Sequence, residues 1–271
     1  MRRVVTAFFM AWGMFLALPC PIKRWDEGAK GPMLAFLAPL GVIVGGLWAL
    51  AAWSLAKLCC PLPLAALVLT ALPQFLTGFM HLDGLMDVAD AVLSRRELET
   101  KRRILKDPHC GAFGAIALAF FLLAVFALFL SWGEGFSSLK TPSVDGAGLT
   151  AQTRLFSLAL IPVSVRASSA LAVLLLKPME TSGYASMPKR SRAVCASIAA
   201  AELLAAVLVP LVPALYSGSA LCGLAPAVAA AAHCILTLGA VRSLRGMNGD
   251  VSGCSITLGE LAGVAALVLI G

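Results

Sequence analysis

Seven stretches of this chain are long and apolar enough to cross a bilayer, and no polar stretch between them is long enough to build a domain in water. They fall at about 33–56, 61–80, 111–132, 154–176, 193–216, 219–241 and 255–270. In hydrocarbon a backbone N–H or C=O finds no water partner, so each stretch must satisfy its own polar groups as a helix. The expected fold is all-α: a polytopic transmembrane helical bundle of about seven spans, with residues 1–271 forming a single integral membrane domain. Residues 4–18 are also apolar but short, and end at Leu18-Pro19-Cys20-Pro21; they read as a short re-entrant or interfacial helix. Composition agrees. The 271 residues are 60% hydrophobic and 13% charged, against about 45–50% and about 25% in soluble domains. Met1-Arg2-Arg3 before an apolar run resembles a signal peptide, but no small-x-small cleavage site is convincing, so the segment is kept in the mature chain.

The net charge of +7 does not point to nucleic acid, because the basic residues lie between the apolar runs. Loop 19–32 carries Lys23, Arg24 and Lys30, loop 81–110 carries Arg95, Arg96, Lys101, Arg102, Arg103 and Lys106, loop 177–192 carries Lys177, Lys189, Arg190 and Arg192, and loop 242–254 carries Arg242 and Arg245. Seven spans after residue 30 put all four loops on one side, which the positive-inside rule makes cytoplasmic in a bacterial inner membrane. Ser94–Lys106 has a helical pattern with a thin apolar strip (Leu98, Ile104, Leu105), which fits a solvated or interfacial helix closed by Pro108; its basic residues read most simply as topology and lipid contact. The eight cysteines show neither C-x-x-C nor zinc spacing and read as packing residues.

Against this apolar background, Asp83, Asp87 and Asp90 follow the spacing D-x3-D-x2-D. At about 100° per residue they lie within about 60° of one another on a helix. Three like charges on one face at a membrane boundary repel, and a cation among them relieves the repulsion; carboxylate oxygens suit Mg2+ or Mn2+. His81 lies behind Asp83 and reads as a packing or hydrogen-bonding residue. Other polar groups belong to the same side: Asp107 before the third span, Arg166 inside an apolar span beside Ser164, Ser168 and Ser169, and Asn248-Gly249-Asp250 in a Gly-rich turn. Arginine offers phosphate a planar fork of donors, and a Gly-rich turn lets backbone N–H groups approach an anion. Carboxylates, a divalent ion and arginine form a kit for phosphoryl transfer or phosphodiester exchange. The polar groups that carry this kit are Asp83, Asp87 and Asp90, which read as a metal site, with Asp107, Arg166 and Asn248-Gly249-Asp250. Glu260 reads as a structural partner of Arg242 or Arg245.

The stretch His81-Leu82-Asp83-Gly84-Leu85 with Asp87 and Asp90, followed by Lys106-Asp107 and Gly111-x-x-Gly114, resembles the cobalamin synthase family (adenosylcobinamide-GDP ribazoletransferase). The likeness continues at Ser164-Val165-Arg166, Gly183, Gly249-Asp250-x-x-Gly253 and Gly259-Glu260, and begins at Leu18-Pro19-x-Pro21 with Trp25. The chain departs from the family pattern at Ala91, His109, Lys177–Glu180 and Met247–Asp250. The resemblance implies an integral membrane transferase of EC 2.7.8 type that needs Mg2+, with Asp83, Asp87, Asp90 and Arg166 as catalytic residues, the three aspartates as metal ligands, and Gly84, Asp107, Asn248, Gly249 and Asp250 at the substrate. In its reaction a hydroxyl of α-ribazole, or of its 5′-phosphate, attacks the cobinamide-side phosphorus of adenosylcobinamide-GDP, and GMP leaves. The site would face the cytoplasm, with the lipid bilayer and the two substrates as partners, and a homo-oligomer is allowed.

Two other functions fit parts of the pattern. A CDP-alcohol phosphotransferase making phospholipid would need an Asp at position 80 and Ala-Arg at 87–88, where this chain has Met80, Asp87 and Val88. A cation transporter would want acids near the bilayer midplane and paired halves with broken helices; here the acids sit at span ends and no repeat is visible.

Overall fold

The computed structural model describes residues 2–139, 146–179, 187–216 and 220–270. Glu180 and Gly183 lie outside the described residues. The described chain is helical throughout, with no strand. The helices are α1 (Arg2–Phe15), α2 (Lys30–Met33), α3 (Leu37–Lys57), α4 (Leu62–Leu76), α5 (Met80–Leu93), α6 (Leu98–Ile104), α7 (Ala112–Ser131), α8 (Gly133–Ser138), α9 (Gly146–Leu175), α10 (Lys189–Leu208), α11 (Leu211–Tyr216), α12 (Ala225–Leu244) and α13 (Gly249–Leu269).

Among the described residues six helical stretches are long and apolar enough to span, built on α3, α7, α9, α10, α12 and α13, and the pair α4–α5 makes a seventh only if its bend is counted within one span. The expected span at 61–80 falls on this pair. Helix α4 has 15 residues, about 22 Å at 1.5 Å per residue, which falls short of a hydrocarbon core of about 30 Å. It ends in a left-handed turn at Gly78 (φ 61°) and Phe79 (φ 62°). There Phe79 N donates to Gln74 O at 2.9 Å and Gly78 N to Phe75 O at 3.3 Å, a glycine-terminated helix end. The chain then turns by 90° into α5. The helix expected to carry Asp83, Asp87 and Asp90 is α5, which runs to Leu93, and Ser94–Lys106 is helical only over Leu98–Ile104.

Helices α9 and α13 are central: 67% of each apolar window is buried, against 22% for α7 and α10. Small residues let the backbones touch. A Cβ on Gly41 would sit 2.7 Å from the carbonyl oxygen of Pro162, and one on Gly45 would overlap that of Ala159. Gly41-x3-Gly45 thus sets the α3–α9 crossing, the means by which helices associate in lipid. Proline does further work in α4. Pro73 has no N–H, so the carbonyl of Leu69 lacks its helical partner. Trp48 Nε1 supplies one at 2.7 Å from α3, and the Trp48 ring stands edge-on to Phe129 of α7, centroids 5.6 Å apart. The N-terminal helix α1 packs through Met10 and Ala11 against Met33, Leu40, Val44 and Leu76.

Candidate active site

The ends of α1, α3, α5, α9 and α13 and the segment around α6 surround one cavity of about 560 Å3. Its lining includes an apolar wall of Met14, Phe15, Leu34, Leu37 and Leu40 from the α1–α3 region. It also includes His81, Asp83, Arg102, Lys106, Arg166, Asn248, Gly249 and Asp250, interleaved with Met80, Leu105 and Met247. The rim is closed by a short parallel pairing of Pro178 with Met247. Met247 N donates to Lys177 O at 2.8 Å, and Met179 N to Met247 O at 2.9 Å. Three of the four basic loops that the sequence placed on one side, 81–110, 177–192 and 242–254, thus contribute to one site, and loop 19–32 does not line it.

Helix α5 crosses α13 in close contact because two glycines allow it. A Cβ on Gly84 would lie 2.8 Å from the carbonyl oxygen of Asp250, and one on Gly253 would lie 3.2 Å from His81 Cα. Thr257 Oγ1 adds a bond to His81 O at 3.1 Å. Gly84, expected at the substrate, is therefore a crossing point: it brings Asp83 beside Asp250. Asn248 caps α13, accepting from Val251 N at 2.9 Å. Its Nδ2 donates to Asp250 Oδ2 at 2.6 Å, which fixes that carboxylate.

The three aspartates of α5 share a face, as their spacing requires, but not an environment. Asp83 is exposed and lines the cavity, while Asp87 is half-buried. Asp90 is buried and turned to α7, accepting from Gly111 N at 2.8 Å and Gly114 N at 3.0 Å. It binds the amino end of that helix, where free N–H groups and the helix dipole favour an anion. The Gly111-x-x-Gly114 motif follows, since a Cβ on Gly114 would lie 2.5 Å from Asp90 Oδ2. Asp87 is repelled by Asp83, Asp250 and Asp90, and Asp250 by Asp83, so the four carboxylates form one negative neighbourhood. Among the described residues no three carboxylate, histidine or cysteine side chains are gathered as a metal site. The donors facing the cavity, Asp83 and Asp250, are nonetheless the hard oxygens that a divalent ion of the Mg2+ type takes.

Arg166 is 3% exposed, and its Nη1 donates to Glu260 Oε1 at 2.7 Å and to Pro162 O at 3.2 Å. Glu260 thus pairs with Arg166 and not with Arg242 or Arg245, which lie at the far end of α12 from it. Asp107 is exposed and does not line the cavity. His109 donates to it from backbone N at 3.0 Å and lies 2.7 Å away through Nδ1. These bonds hold the Asp107 carboxyl below the usual carboxylate range. The basic segment at α6 is more than a lipid-contacting surface. Arg102 donates to Leu244 O and Arg245 O, both at 3.1 Å, and Lys101 Nζ to Ser243 Oγ at 2.9 Å. Arg102 caps α12, whose last carbonyls lack helical donors, Lys101 ties the Ser243 hydroxyl to α6, and Leu105 is buried in the main core. Sequence reasoning did not place Arg102 and Lys106 at the cavity; only their position between the two acidic motifs hinted at it. It also missed the Arg166–Glu260 pair.

The family model described as cobalamin-5-phosphate synthase matches residues 7–268. The chain belongs to the cobalamin-5-phosphate synthase family. It is 33% identical over 271 residues, covering 100% of both chains, to the adenosylcobinamide-GDP ribazoletransferase of Clostridium perfringens (strain 13 / Type A). It is 27% identical over 272 residues, 99% of both chains, to that of Clostridium botulinum (strain Alaska E43 / Type E3). A third relative of the same name, from Lachnoclostridium phytofermentans, is 31% identical over 124 residues, 46% of this chain and 48% of its own. No solved structure matches. The cavity of this family member is lined in part by stretches that carry its sequence resemblance, His81–Asp83, Arg166 and Gly249–Asp250 with Gly253.

Proposed function

We propose that this protein joins α-ribazole, or its 5′-phosphate, to adenosylcobinamide-GDP with release of GMP. The observation that carries the reading is the meeting of Asp83, Asp250, Arg166, Arg102 and Lys106 around one cavity with an apolar wall, in a chain of this family. Basic side chains suit the diphosphate, and the apolar wall suits the bulky, less polar part of an activated corrinoid. In the reaction the hydroxyl oxygen of the ribazole forms a bond to the corrinoid-side phosphorus, and the bond from that phosphorus to the GMP oxygen breaks. The hydroxyl proton passes to a carboxylate at the cavity, Asp83 or Asp250. Arg166 holds phosphate oxygens.

Asp83, with Asp250 from the neighbouring helix, would hold Mg2+ or Mn2+, which supplies charge neutralisation on the phosphate oxygens when bound. Asp90 serves the site through α7, since its oxygens already accept two N–H bonds. The excess of basic loops at the cavity end supports a bacterial inner membrane with the site toward the cytoplasm. The residues at 80 and 87–88 leave the phospholipid-synthase alternative without its motif.

The test is GMP release from adenosylcobinamide-GDP by purified protein in liposomes, with and without α-ribazole and Mg2+. Release that needs both is expected. No release from folded protein, with several lower-ligand ribosides tried, would overturn the reading.

A further inference from the structure

The ion pair beside the cavity is asymmetric. Nη1 of Arg166 is committed twice, to Glu260 Oε1 at 2.7 Å and to Pro162 O at 3.2 Å. Nη2 is buried and has no hydrogen-bond partner in the protein, although Arg166 lines the cavity. Arg166 is 3% and Glu260 6% exposed, so neither side chain can swing out into water. A guanidinium is a rigid planar fork, so fixing one terminal nitrogen fixes the direction of the other. A buried donor without an acceptor is costly, and native structures keep such donors where a ligand supplies the acceptor.

We infer that Glu260 is a positioning residue: it clamps Nη1 of Arg166 so that Nη2 is presented to a phosphate oxygen of the anionic substrate. Glu260 itself does not touch that substrate. The inference rests on the transferase reading above, and gives its phosphate contact a fixed geometry. It differs from simple neutralisation of a buried charge. Neutralisation needs only a carboxylate near Arg166, whereas aiming needs the carboxylate at this reach, which Glu has and Asp, one methylene shorter, lacks.

The experiment compares wild type, Glu260→Asp, Glu260→Gln and Arg166→Ala in liposomes. It reads thermal unfolding, KM for adenosylcobinamide-GDP, kcat, and the Kd for inorganic pyrophosphate without added metal. Both Glu260 variants should raise KM and Kd about tenfold, the scale of one lost charge-assisted hydrogen bond, with Glu260→Asp unfolding near the wild-type temperature. In the Arg166→Ala background Glu260→Asp should add nothing further, because it acts only through Arg166. Wild-type KM and Kd in both folded variants, or an independent added effect in the Arg166→Ala background, would overturn the inference. Where Glu260→Gln fails to insert, Glu260→Asp decides; failure of both would make the pair structural and overturn it as well. Wild-type protein that binds pyrophosphate but releases no GMP would remove the transferase reading and leave the pyrophosphate arm to judge Glu260.

Discussion

Gly114 lies so close to Asp90 that a methyl group has no place between them: its Cβ would fall 2.5 Å from Oδ2, and 3.0 Å from the carbonyl of Met86. Gly114→Ala should therefore push α7 away from α5 and destabilise the protein by about 1–3 kcal/mol, the usual cost of overpacking. Thermal unfolding in detergent checks this; an unchanged midpoint would show that the helices part without cost.

Asp83 and Asp90 belong to one motif yet should respond oppositely to the same change. Asp90→Asn leaves one carboxamide oxygen for two N–H donors and should cost about 1–3 kcal/mol of stability. Asp83→Asn removes an exposed charge from a repelling group, so it should keep or raise the unfolding temperature while turnover falls by orders of magnitude. Unfolding curves and GMP release on the two variants separate these outcomes, and near-wild-type activity in Asp83→Asn would remove Asp83 from the site.

Gly84→Ala should act on activity more than on stability. The added methyl meets the carbonyl of Asp250, so relief of the clash separates Asp83 from Asp250 at the cavity. A fall in kcat of about tenfold or more is expected, since small misplacements of reacting groups are costly. Equal loss of kcat and folded protein would instead mark the glycine as packing alone.

Trp48→Phe keeps the ring contact with Phe129 but leaves the Leu69 carbonyl without its donor. The expected loss is about 1 kcal/mol. In a Pro73→Ala background the helix regains its own N–H for that carbonyl, and the loss should shrink. Denaturation of the four proteins in this cycle measures the coupling.

Much of this arrangement is legible in the sequence, and the misses have physical causes. Apolar length locates the spans, but hydropathy is blind to dihedral angles, so the break at Gly78–Phe79 is hidden inside one apolar run. Helical arithmetic puts Asp83, Asp87 and Asp90 on one face. It does not show that the amino end of α7 returns to engage the third of them. The Arg166–Glu260 pair was within reach of a depth argument. Arg166 lies about 14 Å from the cavity end of α9, and Glu260 about 17 Å from that of α13, at 1.5 Å per residue. Arg242 and Arg245 sit at the cavity end of their own helix, a different depth. Pairing by proximity in sequence pointed to them, whereas depth in the membrane points to Arg166.

The rim pairing of residues 177–179 with Met247 is made by main-chain bonds, and main-chain bonds are indifferent to most side-chain replacements. The wall built on it therefore has a fixed position and, at the half-buried Pro178 and Met179, an exchangeable surface: these two can be swapped for residues of other shape while the clasp beneath them stays closed, whereas Met247 is buried in the core. Gly246 is fixed too, because its Cβ would strike the backbone of Met179. A lineage can thus retune what this edge of the cavity accepts by drift at a few positions, without rebuilding the helices that carry the chemistry.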